Sequence, residues 1–210
     1  MTRLFTLTLV ISGLALSEGP AEKQLAAYLE SHGKSPEDYV AGKFSTHQVV
    51  FLGEYHRIRH DVELAQRLIP RLYRAGVKNL GLEFGAEELQ AEADSLVAAE
   101  AYDPALARSI MFRWSPIWGY HEYIELYRHA WQFNRSLPKG APKFRIVHLG
   151  YRADFSQLSG ERTPEVMRKV FHRGDPDGFM AEVIRREFLE KREKALVYCG
   201  RHHAFTRFAQ

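Results

Sequence analysis

Four short apolar stretches, each running straight into polar residues, constrain this chain more than any other feature. The first, His47 to Leu52, is rich in β-branched and aromatic residues and is stopped by Gly53. Asp61 to Ala75 follows with Val62, Leu64, Ala65, Leu68, Ile69 and Leu72 at helical spacing, closed by Gly76, with Pro70 inside as a potential kink. Lys78 to Glu83 is the second stretch. Strand, helix, turn and strand in so short a span predict a βαβ unit, which is parallel and right-handed in nearly all folds.

Phe144 to Leu149, ending at Gly150, and Ala195 to Cys199, ending at Gly200, predict the third and fourth strands. Helical patterns over Glu87–Ala99 and Pro104–Met111, and a longer one over Ile117–Asn134, form an insert after the second strand. A helix is expected over Ala21–Ser31, a loop over Gly33–Gly42, and a charged amphipathic helix over Asp177–Lys194. The expected fold is α/β: a mostly parallel sheet flanked by helices, with a helical insert after the second strand. At 210 residues, with 45% hydrophobic and 26% charged side chains, the chain has the balance of a single folded domain. Its net charge of +3 is spread without a run of like charges, which argues against nucleic acid as a partner. One cysteine, Cys199, excludes an intrachain disulfide and a cysteine-based zinc finger.

The first seventeen residues read as an export signal, with residues 18–210 as the mature domain. Arg3 precedes the apolar run Leu4–Leu16, and Ala15 and Ser17 supply small residues at a cleavage site before Glu18. That run is too short to span a bilayer, which takes about 20 apolar residues. The expected destination is therefore the periplasm or the exterior, without a stable membrane span.

In open parallel sheets the ligand crevice lies beyond the carboxyl ends of the strands. Here the first strand exits through Gly53-Glu54-Tyr55-His56, the second through Glu83, the third through Gly150-Tyr151-Arg152, and the fourth through Gly200-Arg201-His202-His203. Neighbouring strands would bring His56, Glu83 and His203 into one pocket. Two imidazoles and a carboxylate are a common donor set for a divalent metal with positions open to water. Glu54 would then serve as general base or orient a ligand histidine.

Most other polar residues have plainer expectations. Glu87 and Glu88 suit the first turn of a helix. His60, His121, His129, His148 and His172 read as structural or solvated, and Cys199 as a small buried apolar residue. Trp114, Trp118 and the tyrosine stripe through Tyr120, Tyr123 and Tyr127 read as core or as the wall of an apolar pocket. No nucleophile elbow, phosphate loop or dinucleotide fingerprint is present.

Val49 to His56, then Leu80-Gly81-Leu82-Glu83-Phe84, then Val197 to Ala204 resemble the superfamily that joins erythromycin esterases, Tiki metalloproteases and ChaN-like haem-binding proteins. Trp118, Gly119 and Tyr123 are similar to the helical insert of the ChaN-like members. The resemblance implies an α/β fold whose site is Glu54, His56, Glu83 and His203. It leaves two function classes. One is an exported hydrolase acting on an ester or amide of a small molecule or peptide, with a divalent metal on His56, Glu83 and His203. The other is a haem-binding protein without catalysis, with Tyr55, Tyr151 or His202 at the iron. Because two carboxylates beside two histidines suit a hard or borderline cation better than haem, the hydrolase is the favoured expectation. Seven residues follow His203, so the helix after the last strand is expected to be short or absent.

Overall fold

The computed structural model describes residues 19–158 and 160–205. The expected export signal, residues 1–17, lies outside the described residues. The described residues divide into two compact units, one up to Lys34 and one from Ser35 onward. In the first, helix α1 (Pro20–His32) starts where Glu22 accepts the Gly19 N–H at 2.6 Å and Pro20 takes the first helical position.

The second unit carries four strands, β1 (Val49–Glu54), β2 (Asn79–Ala86), β3 (Arg145–Gly150) and β4 (Ala195–Gly200). They form one sheet in the order β1-β4-β2-β3, and every pair is parallel. β4 therefore lies inside the sheet although it comes last in the chain, and all six of its residues are buried. Successive side chains of β4 alternate between faces, as a period of two requires. Leu196 and Tyr198 enter a core with Leu68, Leu72, Leu82 and Tyr127, whereas Ala195, Val197 and Cys199 enter another with Val183 and Phe188. The first core is covered by α3 (Arg59–Arg74), α4 (Gln90–Ala98), α5 (Pro104–Trp114) and α6 (His121–Ser136). The second is covered by α8 (Pro176–Ile184) and the π-turn that continues it over Arg185–Leu189. Helices on both faces of a parallel sheet confirm the α/β class and the helical insert after β2.

Four local expectations are corrected. The segment 33–42 is not a loop throughout, because α2 (Pro36–Lys43) forms within it. Its start carries three helix signals: the Ser35 hydroxyl accepts the Asp38 N–H at 3.1 Å, Pro36 stands at the first position, and Glu37 and Asp38 fill the first turn. The helix expected over Ile117–Asn134 is broken into a 3₁₀ turn, Pro116–Trp118, and α6. At the break a Cβ on Gly119 would lie 2.6 Å from the exposed Phe112 ring, which would have to shift to admit a side chain. The helix expected to reach Lys194 leaves α geometry at Arg185 and ends its π-turn at Leu189. A short helix, α7 (Pro164–Val170), was not expected from periodicity; the Thr163 hydroxyl caps it by accepting the Val166 N–H at 3.3 Å. Pro70, the potential kink, lies inside α3. Beyond β4 the described residues form a 3₁₀ turn, Arg201–Ala204. Among the described residues no helix is long and apolar enough to cross a membrane.

Candidate functional site

The site forms at the carboxyl edge because all four strands exit there. In-register pairing sets Glu54 of β1 beside Gly200 of β4, and β4 pairs with β2 on its other side. Gly200 thus lies between the strands that carry Glu54 and Glu83.

Glu54 points into the core under α6 and is almost fully buried. Its Oε1 accepts the Tyr123 hydroxyl at 2.6 Å and faces His56 Nδ1 at 2.9 Å; its Oε2 accepts the Tyr198 hydroxyl. Burial raises its carboxyl above the ordinary range, opposed by these hydrogen bonds. The network supplies the partners a buried carboxylate needs. It also fixes the imidazole of His56, which packs edge-on against Trp118 at 4.7 Å and Phe84 at 5.7 Å between ring centres.

Glu83 accepts the Gly200 N–H through Oε2 at 2.6 Å and faces His203 Nε2 through Oε1 at 3.4 Å. Asp177, in the first turn of α8, places Oδ1 2.6 Å from His203 Nδ1, off the line of that N–H, so the contact is an ion pair rather than an aligned hydrogen bond. Pairing with Glu83, and after it the field of Asp177, holds the imidazole protonated against the opposing effect of burial, with a pKa raised to about 9.

Both histidines converge on Gly200. A Cβ there would lie 2.5 Å from His56 Cε1, 2.8 Å from His56 Nε2 and 3.5 Å from His203 Cδ2. Each ring therefore has Nδ1 against a carboxylate and its far side toward one glycine. A cavity of about 220 Å³ opens beside them, lined by Glu83, Asp177 and His203 together with Trp114, Trp118, Tyr151 and Met180. His56 is not part of its lining; it meets the cavity wall through Trp118.

The donors expected for a metal are thus only partly assembled. Glu83 Oε1 and His203 Nε2 face each other, with Asp177 behind the imidazole in the manner of an orienting carboxylate. Yet among the described residues no group of three or more His, Cys, Asp or Glu side chains is placed to hold a metal ion. His56 is instead directed by Glu54 onto the Gly200 backbone.

Of the residues expected at a haem, Tyr151 and His202 line two adjoining hollows and Tyr55 lines neither. The Tyr151 hydroxyl is committed to the Gly174 carbonyl, and its ring lines the cavity. His202 lies against Phe205 in an adjoining hollow with Phe51 and Ile184, which shares Asp177, Met180 and His203 with the cavity. Tyr55 is 59% exposed, with the Arg201 guanidinium 3.7 Å above its ring.

Several residues take the plainer places expected of them. His148 is buried between the Tyr127 hydroxyl at 2.7 Å and the Ala86 carbonyl at 2.8 Å, and burial lowers its pKa to about 4. Burial, followed by the field of Glu83, pushes the Cys199 thiol up to about 12. Glu87 pairs with Arg173 and Arg186, and Glu88 with Arg173. Two parts of the site escaped sequence reasoning. Asp177 had only its place after Pro176 to mark it, and Tyr123 and Tyr198 were indistinguishable from core aromatics.

Comparison with solved structures shows the fold shared with bacterial effectors and toxins. The type III effector HopBA1 is 17% identical, with a TM-score of 0.54 over 79% of this chain and 71% of that one. The C-terminal region of Pasteurella multocida toxin is 10% identical, with a TM-score of 0.53 over 85% of this chain. RRSP, a MARTX toxin effector domain from Vibrio vulnificus, is 17% identical, with a TM-score of 0.53 over 83%. The chain spans only 21% and 31% of the last two structures. No curated protein matches the sequence significantly. The family model described as haem-binding uptake, Tiki superfamily, ChaN matches residues 40–147, a stretch that includes Glu54, His56 and Glu83. The chain therefore belongs to the ChaN family of the Tiki superfamily.

Proposed function

We propose that this protein is an acid–base hydrolase of an ester or amide bond, with His56 and His203 as its working pair. The observation that carries the reading is the meeting of two carboxylate-held imidazoles over Gly200. In a neutral His56 held through Nδ1 by Glu54, Nε2 is the free base. It takes a proton from water as the water oxygen bonds to the acyl carbon, and the buried Glu54 carboxylate stabilises the resulting imidazolium. The protonated His203, beside the cavity, offsets the negative charge that develops on the acyl oxygen. Collapse breaks the bond to the alcohol or amine, which leaves with the proton from His56. Glu83 fixes both the Gly200 N–H and the His203 ring, and so acts as a positioning residue.

The test is hydrolysis of 4-nitrophenyl acetate by the purified chain. His56→Ala and Glu54→Gln are each expected to lose about 10²–10⁴-fold in kcat/KM, the usual share of general acid–base catalysis. Wild-type turnover no faster than buffer, or undiminished turnover in His56→Ala, would refute this reading. Metal analysis of the same samples addresses Glu83 and His203 as ligands: stoichiometric divalent metal that disappears in His203→Ala would place an ion between them, polarising the acyl oxygen.

Membership of the ChaN family favours haem binding as the second reading, and exposed Tyr55 beside Arg201 is the donor left accessible for it. A strong visible band on adding haemin, lost in Tyr55→Phe, would support it.

A further inference from the structure

We infer that the cavity beside His203 is an acyl-binding pocket, and that the substrate is an ester or amide whose acyl part is a single aromatic ring or a medium-length alkyl chain. This rests on the hydrolase reading and goes beyond it by naming the group on one side of the scissile bond.

Three observations carry the inference. The first is volume. An apolar cavity of about 150 Å³ takes up benzene, so the 220 Å³ here has room for one ring and a short link. The second is the wall. Trp114, Ile117, Leu149, Phe155 and Met180 present almost entirely apolar surface, and the exposed Ile117 and Phe155 stand at 63% and 55% exposure where a bound chain would cover them. The third is charge. The polar groups in the lining include two carboxylates, Glu83 and Asp177, both facing the His203 ring. This balance disfavours a carboxylate or phosphate inside the pocket and suits a neutral acyl group. His203 lies at the boundary between this lining and Gly200, which is where the carbonyl at the head of that group would sit.

The aromatic insert also acquires a purpose here. The break at Gly119 leaves Trp118 on its own 3₁₀ turn, with the ring against His56, Phe84 and the cavity together. A group filling the cavity would therefore touch the same indole that positions the base.

The experiment compares kcat/KM for 4-nitrophenyl acetate, butyrate, hexanoate, 3-phenylpropionate and palmitate. Each methylene buried is worth about fourfold in kcat/KM, so the series should climb from acetate to hexanoate and 3-phenylpropionate and fall at palmitate. Ile117→Trp and Met180→Trp, one at the rim and one inside, should lower the hexanoate-to-acetate ratio at least tenfold. Ile117 is mostly exposed, so its variant tests the pocket without threatening the fold. A flat series with turnover that still depends on His56 would overturn the pocket and leave the hydrolase reading intact. If no ester is hydrolysed, the hydrolase reading fails and the pocket is judged by binding alone. Titration with 3-phenylpropanamide should then change Trp114 and Trp118 fluorescence in the wild type and not in Met180→Trp or Ile117→Trp. Absence of that saturable change in the wild type would refute it.

Discussion

Replacing Glu83 by Gln should return His203 toward the ordinary histidine pKa of about 6.5. In the wild type the imidazole sits between two carboxylates and is held protonated to about pH 9. At about 1.4 kcal/mol for each tenfold change in proton affinity, that difference corresponds to roughly 3 kcal/mol between the two charge states. Glu83 should account for most of it, because its side chain is 21% exposed whereas that of Asp177 is 54% exposed and correspondingly screened. The sign follows from linkage: a folded-state pKa above the unfolded one contributes stability that is full below about pH 6.5 and is lost as pH rises through about 9. The wild type should therefore lose up to roughly 3 kcal/mol relative to Glu83→Gln between pH 6 and pH 10. Histidine Cε1–H resonances followed by NMR against pH give the titration directly, with His203→Ala for assignment. Denaturant unfolding at the two pH values gives the stability difference. Asp177→Asn should produce a smaller downward shift. A His203 that titrates near 6.5 in the wild type, or at the same pH with and without Glu83, would refute the pairing.

Gly200→Ala tests the meeting of the histidines: with φ −56° and ψ 141° the backbone accepts alanine, but the methyl would displace His56 by about 1 Å, and turnover should fall on the order of 10²-fold while the fold survives. Full activity in the Gly200→Ala protein would show that His56 does not work at this glycine. Tyr198→Phe removes a donor from buried Glu54 and should cost about 1–3 kcal/mol in denaturant unfolding; a change below ~0.5 kcal/mol would mean the carboxylate is satisfied without it. His148→Ala should destabilise without altering the kcat/KM of the folded fraction, since its ring is buried between Tyr127 and Ala86; selective loss of activity would contradict a structural role. For export, mass spectrometry of the protein from its native host should find a mature start near Glu18, and an intact Met1 in an exported fraction would count against it.

Much of the fold was legible because it is encoded locally. Val49 to Leu52 and Ala195 to Cys199 are short, β-rich and closed by glycine, so strand identity needs only neighbouring residues. The crossover rule makes such strands parallel, and parallel strands in one sheet all exit at one edge. That is why Glu54, Glu83 and His203 could be expected at the same edge from their chain positions. The local pattern also misled where a contact from elsewhere decides the backbone. The amphipathic run is broken where Tyr120 takes extended backbone, and Gly119 beside it lets the chain pass close to the Phe112 ring. The segment 33–42 holds a helix that its Pro and Asp residues made look like a loop.

What only the tertiary structure decided is which groups face which. The insertion of β4 between β1 and β2 places Gly200 within reach of both carboxylate strands, and no local pattern contains that order because strand neighbours are chosen by burial across the whole sheet. One partner of His203, Asp177, comes from α8, a helix whose sequence announces only an N-terminus, and two partners of Glu54 are tyrosines whose rings satisfy the core while their hydroxyls satisfy the acid. Residue types at strand ends can be read along the chain; the hydrogen bonds that set their charge and direction are non-local, and they exist only once the layers have packed.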